Sequence, residues 1–245
     1  MRRLLWGTLW GLTAGILAVA FTTPSWAITQ TFAGPPAGTV AAGDKPGGGT
    51  APGTLFPDFT LKVVNNNGPQ SLLIFDSSNP TGGDPDLGSP NETCAGGPGV
   101  GVGGEVGQPG ENCVAQGNLL IIAEDLIDVG GDMLVDEPDD DVDGGLIIFE
   151  WDSPTVVQSI TIMDIDSESA AITVSNDTLV VTVTATALGN NSAQVIDLTG
   201  EPATNCLAVR LSSSGAVAQI TYDVAVPTRK ETWGRIKNVY RAPMD

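Results

Sequence analysis

Residues 146–163 read Leu146-Ile-Ile-Phe-Glu-Trp-Asp-Ser-Pro-Thr-Val-Val-Gln-Ser-Ile-Thr-Ile-Met163, and they contain two apolar runs that bear directly on the fold class. Leu146–Trp151 and Val156–Met163 are short and rich in Val, Ile and Thr, which is typical of β-strands. The Asp-Ser-Pro between them is typical of a turn or a strand end. This stretch therefore predicts two consecutive strands with no helix between them.

Similar runs occur on both sides of this stretch, separated by clusters of Gly, Pro, Asn, Asp and Ser. Strand follows strand without a helical period, which favours an all-β, antiparallel sandwich over βαβ units. We expect this sandwich domain to span residues 28–226. Residues 33–54 are rich in Gly, Pro and Ala, and their composition alone predicts a linker. The other predicted strands are Phe59–Val64, Ser71–Phe75, Asn118–Ala123, Ala171–Val174, Leu179–Ala185, Gln194–Leu198, Leu207–Leu211 and Gln219–Val224.

The first 27 residues have the pattern of a signal peptide. A basic start is followed by an apolar stretch over 4–21, and Ser25-Trp-Ala27 places small residues at the −3 and −1 positions for cleavage before Ile28. The alternative is an N-terminal membrane anchor, because 18 apolar residues nearly span a bilayer. We expect a secreted, extracellular or cell-surface protein. No second long apolar run follows, so we expect no transmembrane span in the mature chain.

The charge of the predicted domain is strongly negative. Residues 28–226 carry 27 acidic and three basic side chains, a net charge of −24. Such a surface repels nucleic acid and anionic membranes and attracts divalent cations. The chain contains no histidine, which excludes Ser-His-Asp and Cys-His catalysis and every zinc site with an imidazole ligand.

Two of the three cysteines, Cys94 and Cys113, bracket a glycine-rich loop. A disulfide between them would limit the large conformational entropy of that loop in the unfolded chain, and it would fit an exported protein. Cys206 lies in an apolar run and is interpreted as a buried strand thiol. Bridges from Cys206 to either of the other two cysteines remain open alternatives.

An acidic segment has the spacing of a calcium-binding loop. Asp139-Asp-Asp-Val-Asp-Gly144, followed by Glu150, satisfies the EF-hand pattern D-x-D-x-D-G-x5-E. Its flanks are predicted strands, so we expect a calcium loop on a β-scaffold with Asp139, Asp141 and Asp143 as ligands. A strand would carry Glu150 away from this loop. The alternative is a solvated acidic hairpin tip.

A second acidic cluster consists of Asp84-Pro-Asp86 and Glu124-Asp125. Pro85 stiffens the first pair, and carboxylates held close together repel one another unless a cation joins them. The alternative is ordinary turn chemistry, in which Asp is common without any metal. Asp164 and Asp166 alternate at a predicted strand end and are weaker candidates.

Several segments in order between about residues 31 and 224 resemble a group of secreted bacterial domains. They are Thr31-Phe32 with Pro36–Val40, Ile74–Leu87, Gly117–Asp125, Pro138–Asp140 with Gly144-Gly145, Ser159-Ile160 with Asp164–Asp166, and Ser213–Val217. The group is that of the galactose-binding-like, jelly-roll β-sandwiches found in exported proteins with a PEP-CTERM sorting tail. The resemblance implies a jelly roll that includes residues 33–54, and a shared site for Asp84, Asp86, Glu124 and Asp125. No Pro-Glu-Pro motif follows the sandwich here.

Residues 227–245 have a different composition, with five basic and two acidic side chains. Thr228 and Glu231 have capping-box spacing, and Trp233, Ile236 and Tyr240 would share one face of a helix. We therefore predict a short amphipathic C-terminal helix. It would dock on the acidic domain, serve as a sorting handle, or lie at an anionic interface.

These features predict a non-catalytic protein. There is no nucleophile elbow, P-loop or dinucleotide motif, and few aromatic residues are present to line a glycosidase cleft. The function expected is a structural or cell-surface and matrix role for a calcium-stabilised sandwich. The alternative is a carbohydrate-binding module. Expected partners are divalent cations and extracellular polysaccharide or envelope components, but not nucleic acid.

Overall fold

The computed structural model describes residues 25–97, 99–104, 106–166, 170–176 and 179–225. Within them the chain forms one short 3₁₀ turn at Pro85–Leu87 and twelve strands. The predicted all-β fold is confirmed. The predicted C-terminal helix and most of the predicted signal peptide lie outside the described residues. The strands are β1 (Ser25–Gln30), β2 (Val40–Asp44), β3 (Thr50–Ala51), β4 (Thr60–Asn65), β5 (Ser71–Asp76), β6 (Asn118–Ile122), β7 (Gly145–Met163), β8 (Ala171–Ser175), β9 (Val180–Thr184), β10 (Ala193–Asp197), β11 (Thr204–Leu211) and β12 (Ala216–Ala225).

The strands pair antiparallel in two sheets that form the layers of a sandwich. The larger sheet has the order β3-β2-β5-β6-β12-β7-β10, and β1 adds to β12. The smaller sheet has the order β4-β7-β11-β8-β9. Strand β7 belongs to both, because its first half pairs with β4 and β11 and its second half with β12 and β10. The two predicted strands at 146–163 are thus one strand that passes between the layers.

Pro154 does not interrupt β7, contrary to the sequence-based expectation. It is exposed at the point where the strand leaves the smaller sheet, and the ladder with β4 has already ended at Glu150. The ladder with β11 is irregular between Glu150 and Thr155. A proline lacks a backbone donor, but none is required where no neighbouring strand pairs regularly.

Aromatic rings fill the space between the sheets. The ring of Phe149 on β7 contacts those of Phe32, Phe59 and Trp151, with centroids 5.3 to 6.5 Å apart. Tyr222 on β12 closes the cluster from the opposite layer. The alternation of buried and partly exposed residues along the first half of β7 therefore points one row of side chains into this core.

A second core lies on the outer face of the larger sheet. Leu73 and Phe75 of β5 and Ile121 of β6 pack there beneath loop residues Leu87 and Val135. Strands β5 and β6 are therefore buried on both faces, which explains why their sequences are continuously apolar rather than alternating. The loops that cover this face carry the acidic clusters.

Residues 33–54 are part of the sandwich, so their interpretation as a linker is wrong. They contain β2 and β3, and Ala41 and Ala42 are buried between the sheets. Gly43 has a φ of +91°, and a Cβ there would lie 1.7 Å from the carbonyl oxygen of Gln70. The small residues that suggested a linker permit this close packing of β2 on β5.

The N-terminal strand begins before the predicted cleavage point. Ser25, Trp26 and Ala27 pair with residues 225–223 of β12, and the pairing continues through Gln30. Cleavage before Ile28 would leave the second half of β1 in the larger sheet. Among the described residues, no helix is long and apolar enough to cross a bilayer.

The predicted disulfide between Cys94 and Cys113 is confirmed, with the two Cα atoms 5.5 Å apart. Cys206 carries a free thiol on β11, which leaves the two alternative bridges unformed. It is partly exposed rather than fully buried, since it lies next to the irregular pairing of β11 with β7.

Candidate metal centre

Three carboxylates from two loops meet over the outer face of the larger sheet. Oxygen atoms of Asp84, Asp139 and Asp140 all lie within 4.8 Å of one another. Asp84 immediately precedes the 3₁₀ turn at Pro85–Leu87, and the other two belong to the segment that leads into β7. Asp140 is almost completely buried, whereas Asp84 and Asp139 are partly exposed.

Backbone hydrogen bonds hold the Asp139–Asp141 segment against β6. Ala123 pairs with Asp140 in an isolated bridge, and the Asp141 N–H donates to the carbonyl oxygen of Ile122 at 2.9 Å. The Glu124 N–H donates to the carbonyl oxygen of Asp139 at 3.1 Å. The Asp140 N–H donates to Asp84 Oδ2 at 2.7 Å, which ties the two acidic loops together.

Gly82 allows the loop that carries Asp84 to approach Asp139 closely. Its φ is +74°, and a Cβ at this position would lie 2.7 Å from the Cβ of Asp139 and 2.9 Å from the carbonyl oxygen of Pro138. The neighbouring Thr81 donates its hydroxyl to the same Pro138 carbonyl at 3.1 Å. A side chain at position 82 would therefore push Asp84 away from Asp139.

Two residues of the turn between β11 and β12 form hydrogen bonds with the side chain of Asp140. Ser214 Oγ lies 2.8 Å from Asp140 Oδ2, and the Gly215 N–H donates to the same oxygen. Ser214 Oγ also lies 3.1 Å from Oδ2 of the buried Asp164, whose Oδ1 accepts a hydrogen bond from the Asn191 N–H at 2.6 Å. A hydroxyl has one proton, so Ser214 donates to only one of the two carboxylates at a time.

Burial of these carboxylates without a cation makes the charged forms unfavourable. Burial and the negative charge of Asp140 raise the pKa of Asp84 to about 10. Burial raises the pKa of Asp140 to about 6, and burial together with the charge of Asp86 raises the pKa of Asp164 to about 7. Between described residues the one ion pair joins Lys62 and Glu150. A bound cation would offset the repulsion that these shifts reflect.

The second predicted cluster is divided by the structure. Asp84 is in the centre, and Asp86 lies beside it with a buried Oδ1 that has no hydrogen-bond partner among the described residues. Burial raises the pKa of Asp86. Glu124 is exposed, and the charge of Asp139 raises its pKa. Asp125 accepts a hydrogen bond from the Ile127 N–H at 3.0 Å and so stabilises its own turn.

The alternating ligands of the predicted calcium loop are also separated. Asp139 is in the centre, but Asp141 and Asp143 lie outside the three-carboxylate group. Asp141 Oδ1 accepts a hydrogen bond from the Asp143 N–H at 2.8 Å, and the exposed Asp143 accepts one from Asn67 Nδ2 at 2.8 Å. Glu150 lies on β7, away from this loop, as expected, and its Oε2 is 2.7 Å from Lys62 Nζ.

Sequence reasoning missed Asp140 as a candidate ligand, and it missed Ser214 and Gly215 as its supports. The EF-hand spacing selects residues 139, 141 and 143 and passes over position 140. The available signal was the run of three consecutive carboxylates at 139–141, which does not by itself show which of them meet Asp84.

The aromatic residues offer little exposed stacking surface to a glycan. Those of the described loops and strands are mostly buried in the two cores, and the exposed one, Trp26, belongs to β1 rather than to a loop. A cavity of about 550 Å³ lies between residues 106–112 and 187–192, with Gly104 and Ser192 in its lining. Its walls are formed mainly by glycine, amide and aliphatic groups.

Comparison with known protein families, curated proteins and solved structures finds no match to this chain.

The raised pKa values predict an unusual pH dependence in the absence of metal. Between the ordinary carboxyl pKa near 3.8 and the raised values of about 6 for Asp140 and about 7 for Asp164, the folded protein binds more protons than the unfolded chain. Its free energy of unfolding should therefore fall as the pH rises through this window, with Asp84 extending the fall towards pH 10. Urea unfolding in chelator at several pH values measures this. Stability that rises from pH 5 to pH 8 would contradict it, and Asp84→Asn should flatten the curve.

Proposed function

We propose that this protein is an exported β-sandwich whose loops are locked by a calcium ion, and that it has a non-catalytic structural role at the cell surface or in the extracellular matrix. The observation that carries the proposal is the convergence of Asp84, Asp139 and Asp140 without a compensating cationic side chain among the described residues. The disulfide between Cys94 and Cys113 supports an oxidising compartment.

The donor set favours a hard divalent cation. All three groups offer carboxylate oxygens, and the chain contains no histidine to ligate a transition metal. Calcium accepts six to eight oxygen ligands in flexible geometry, with carboxylates binding through one or both oxygens. Magnesium requires near-ideal octahedral geometry and gives up its waters reluctantly, so we favour calcium.

A cation at this centre would stabilise the loops rather than take part in a reaction. It would connect the loop before the 3₁₀ turn with the segment before β7, and through Asp140 it would reach the turn between β11 and β12. Leu87 and Val135, in the loops flanking the centre, cover the second core. Calcium would therefore keep the outer face of the larger sheet covered.

Direct titration of the purified protein with calcium tests this proposal. We expect one calcium per chain, with release of a proton near neutral pH because the pKa of Asp84 is raised. Calorimetry in buffers of different ionisation enthalpy measures both quantities.

Gly82→Ala and Gly83→Ala form a matched pair for this titration. A Cβ at Gly82 would clash with Asp139, whereas a Cβ at Gly83 has its nearest contact at 3.6 Å, from Asp139 Oδ2. We expect Gly82→Ala to weaken calcium binding by about tenfold or more, because the clash moves Asp84 away from Asp139 in the free protein and binding must restore their approach. Gly83→Ala should bind nearly as well as the wild type. Equal affinities for both variants, or no calcium binding at all, would refute the proposed site.

A further inference from the structure

Within the part of the chain that the structure describes, the smaller sheet ends in a strand whose outer edge has no partner. Strand β9 pairs there with β8 alone, and all five of its residues, Val180-Val-Thr-Val-Thr184, are β-branched. Val180 is 65% exposed. β-Branched residues favour the extended backbone, so this edge is held in a conformation suitable for pairing with another strand.

The hydrogen-bond pattern identifies which backbone groups of β9 do not bond to β8. The Ala185 N–H donates to the Ala170 oxygen at 2.8 Å, and the Asn176 N–H donates to the Leu179 oxygen at 3.0 Å. Because hydrogen-bonded pairs alternate along an antiparallel ladder, Val181 and Val183 also bond to β8. The N–H and C=O groups of the other three residues of β9, at positions 180, 182 and 184, therefore point away from the sheet.

Two other strand edges, those of β4 and β10, carry charges that oppose pairing. On β4, Lys62 forms an ion pair with Glu150, and β10 ends in Asp197. Charged side chains on an edge discourage the approach of another strand. Strand β9 has neither a charge nor a proline. It belongs to a stretch, residues 178–196, that contains no ionisable side chain, although residues 28–226 carry a net charge of −24.

We propose that two copies of this chain associate by antiparallel pairing of their β9 edges across a two-fold axis at Thr182. In this register Thr182 lies opposite its own counterpart, and Val180 lies opposite Thr184. The three outward residues of each strand would exchange about six backbone hydrogen bonds. The two smaller sheets would become one continuous sheet.

Charge favours a second copy as the occupant of this edge. Two copies of a strongly negative protein repel each other. The stretch that contains β9 is uncharged, so pairing at β9 does not place carboxylates of the two copies opposite one another. The pairing is self-complementary, as a two-fold interface requires. It would also cover the partly exposed side chains of Val181 and Val183. This inference goes beyond the proposed function and does not depend on calcium.

Sedimentation of the purified protein across micromolar to millimolar concentrations tests the proposal. We expect a monomer–dimer equilibrium that shifts towards the dimer when salt rises from about 0.1 M to about 1 M, because the screening length falls from about 10 Å to about 3 Å. A monomer at every concentration and both salt levels would overturn the proposal.

Thr182→Pro removes one outward donor without removing a hydrogen bond to β8, and should weaken the dimer by at least about tenfold. The matched control is Val195→Pro on the β10 edge. The bonds from the Leu198 N–H to Gln158 and from the Asp164 N–H to Ser192 show that the N–H of Val195 also points outward, and Val195 is likewise 65% exposed. This control should dimerise normally.

Thr182→Lys covers the case in which the proline variant does not fold. It keeps the backbone donor but places two lysines opposite each other at the axis, so it should also weaken the dimer. Dimerisation that survives both substitutions at Thr182, or that is lost equally in Val195→Pro, would overturn the proposal.

Discussion

In calcium at about 1,000 times its dissociation constant, the purified protein should unfold at a temperature about 8–16 °C higher than in chelator. A ligand that binds only the folded state at this concentration stabilises it by about 4.1 kcal/mol, and a domain near 200 residues gains about 2–4 °C per kcal/mol. Thermal unfolding followed by circular dichroism measures the shift. Magnesium at the same concentration should produce a smaller one.

Two substitutions in the same acidic run distinguish a bound ion from general charge screening. Asp140→Asn removes the charge of the most buried member of the centre and should abolish the calcium-dependent shift. Asp143→Asn makes the same change of charge at an exposed residue outside the centre and should keep the shift. Equal shifts in both variants would show that calcium acts on the overall charge and not at this site.

Removing the disulfide should be the other large effect. The cysteines are 19 residues apart, and in the chain-entropy model closing such a loop stabilises a protein by about 3 kcal/mol. Replacing both Cys94 and Cys113 with Ala should therefore lower the midpoint of thermal unfolding by about 6–12 °C. The base of the loop is also joined by a hydrogen bond from the Asn91 N–H to the Asn112 oxygen at 2.7 Å. The native fold should therefore survive, with the loss arising mainly in the unfolded chain.

Cys206→Ala is the matched control for this double substitution. It removes a cysteine that is in β11 and makes no disulfide, so it should change the free energy of unfolding by less than about 1 kcal/mol. The calcium-dependent shift should persist in the double variant, because neither cysteine belongs to the acidic centre. A double variant as stable as the wild type would contradict the entropic argument.

The strands were largely predictable because their signal is local. Short β-branched runs between turn residues predicted ten strands, and those runs lie in nine observed strands because β7 accounts for two of them. The disulfide was predictable for a similar reason, since its two cysteines enclose one glycine-rich loop. Strands β2 and β3 were missed because Ala and Gly have low strand propensity. The conformation of β2 depends on its pairing with β5, and that of β3 on its pairing with β2.

The acidic centre shows where local patterns stop being informative. The sequence indicates that residues 139–143 are rich in carboxylates, but it does not show which of them meet the loop that carries Asp84. The bridge between Ala123 and Asp140 holds this segment against β6, and hydrogen bonds join Asp140 to Asp84 and Ser214. Motif spacing alone selected Asp141 and Asp143 instead.

By itself, the sequence determined an all-β protein with an acidic domain and favoured a disulfide across the glycine-rich loop, because composition and strand periodicity act over a few residues. The tertiary structure alone decided that β7 serves both sheets, which carboxylates meet, and that the outer edge of β9 has no partner among the described residues. Each of these depends on pairing between segments far apart in the chain, such as Asp84 with Asp140, and no local preference specifies such pairing.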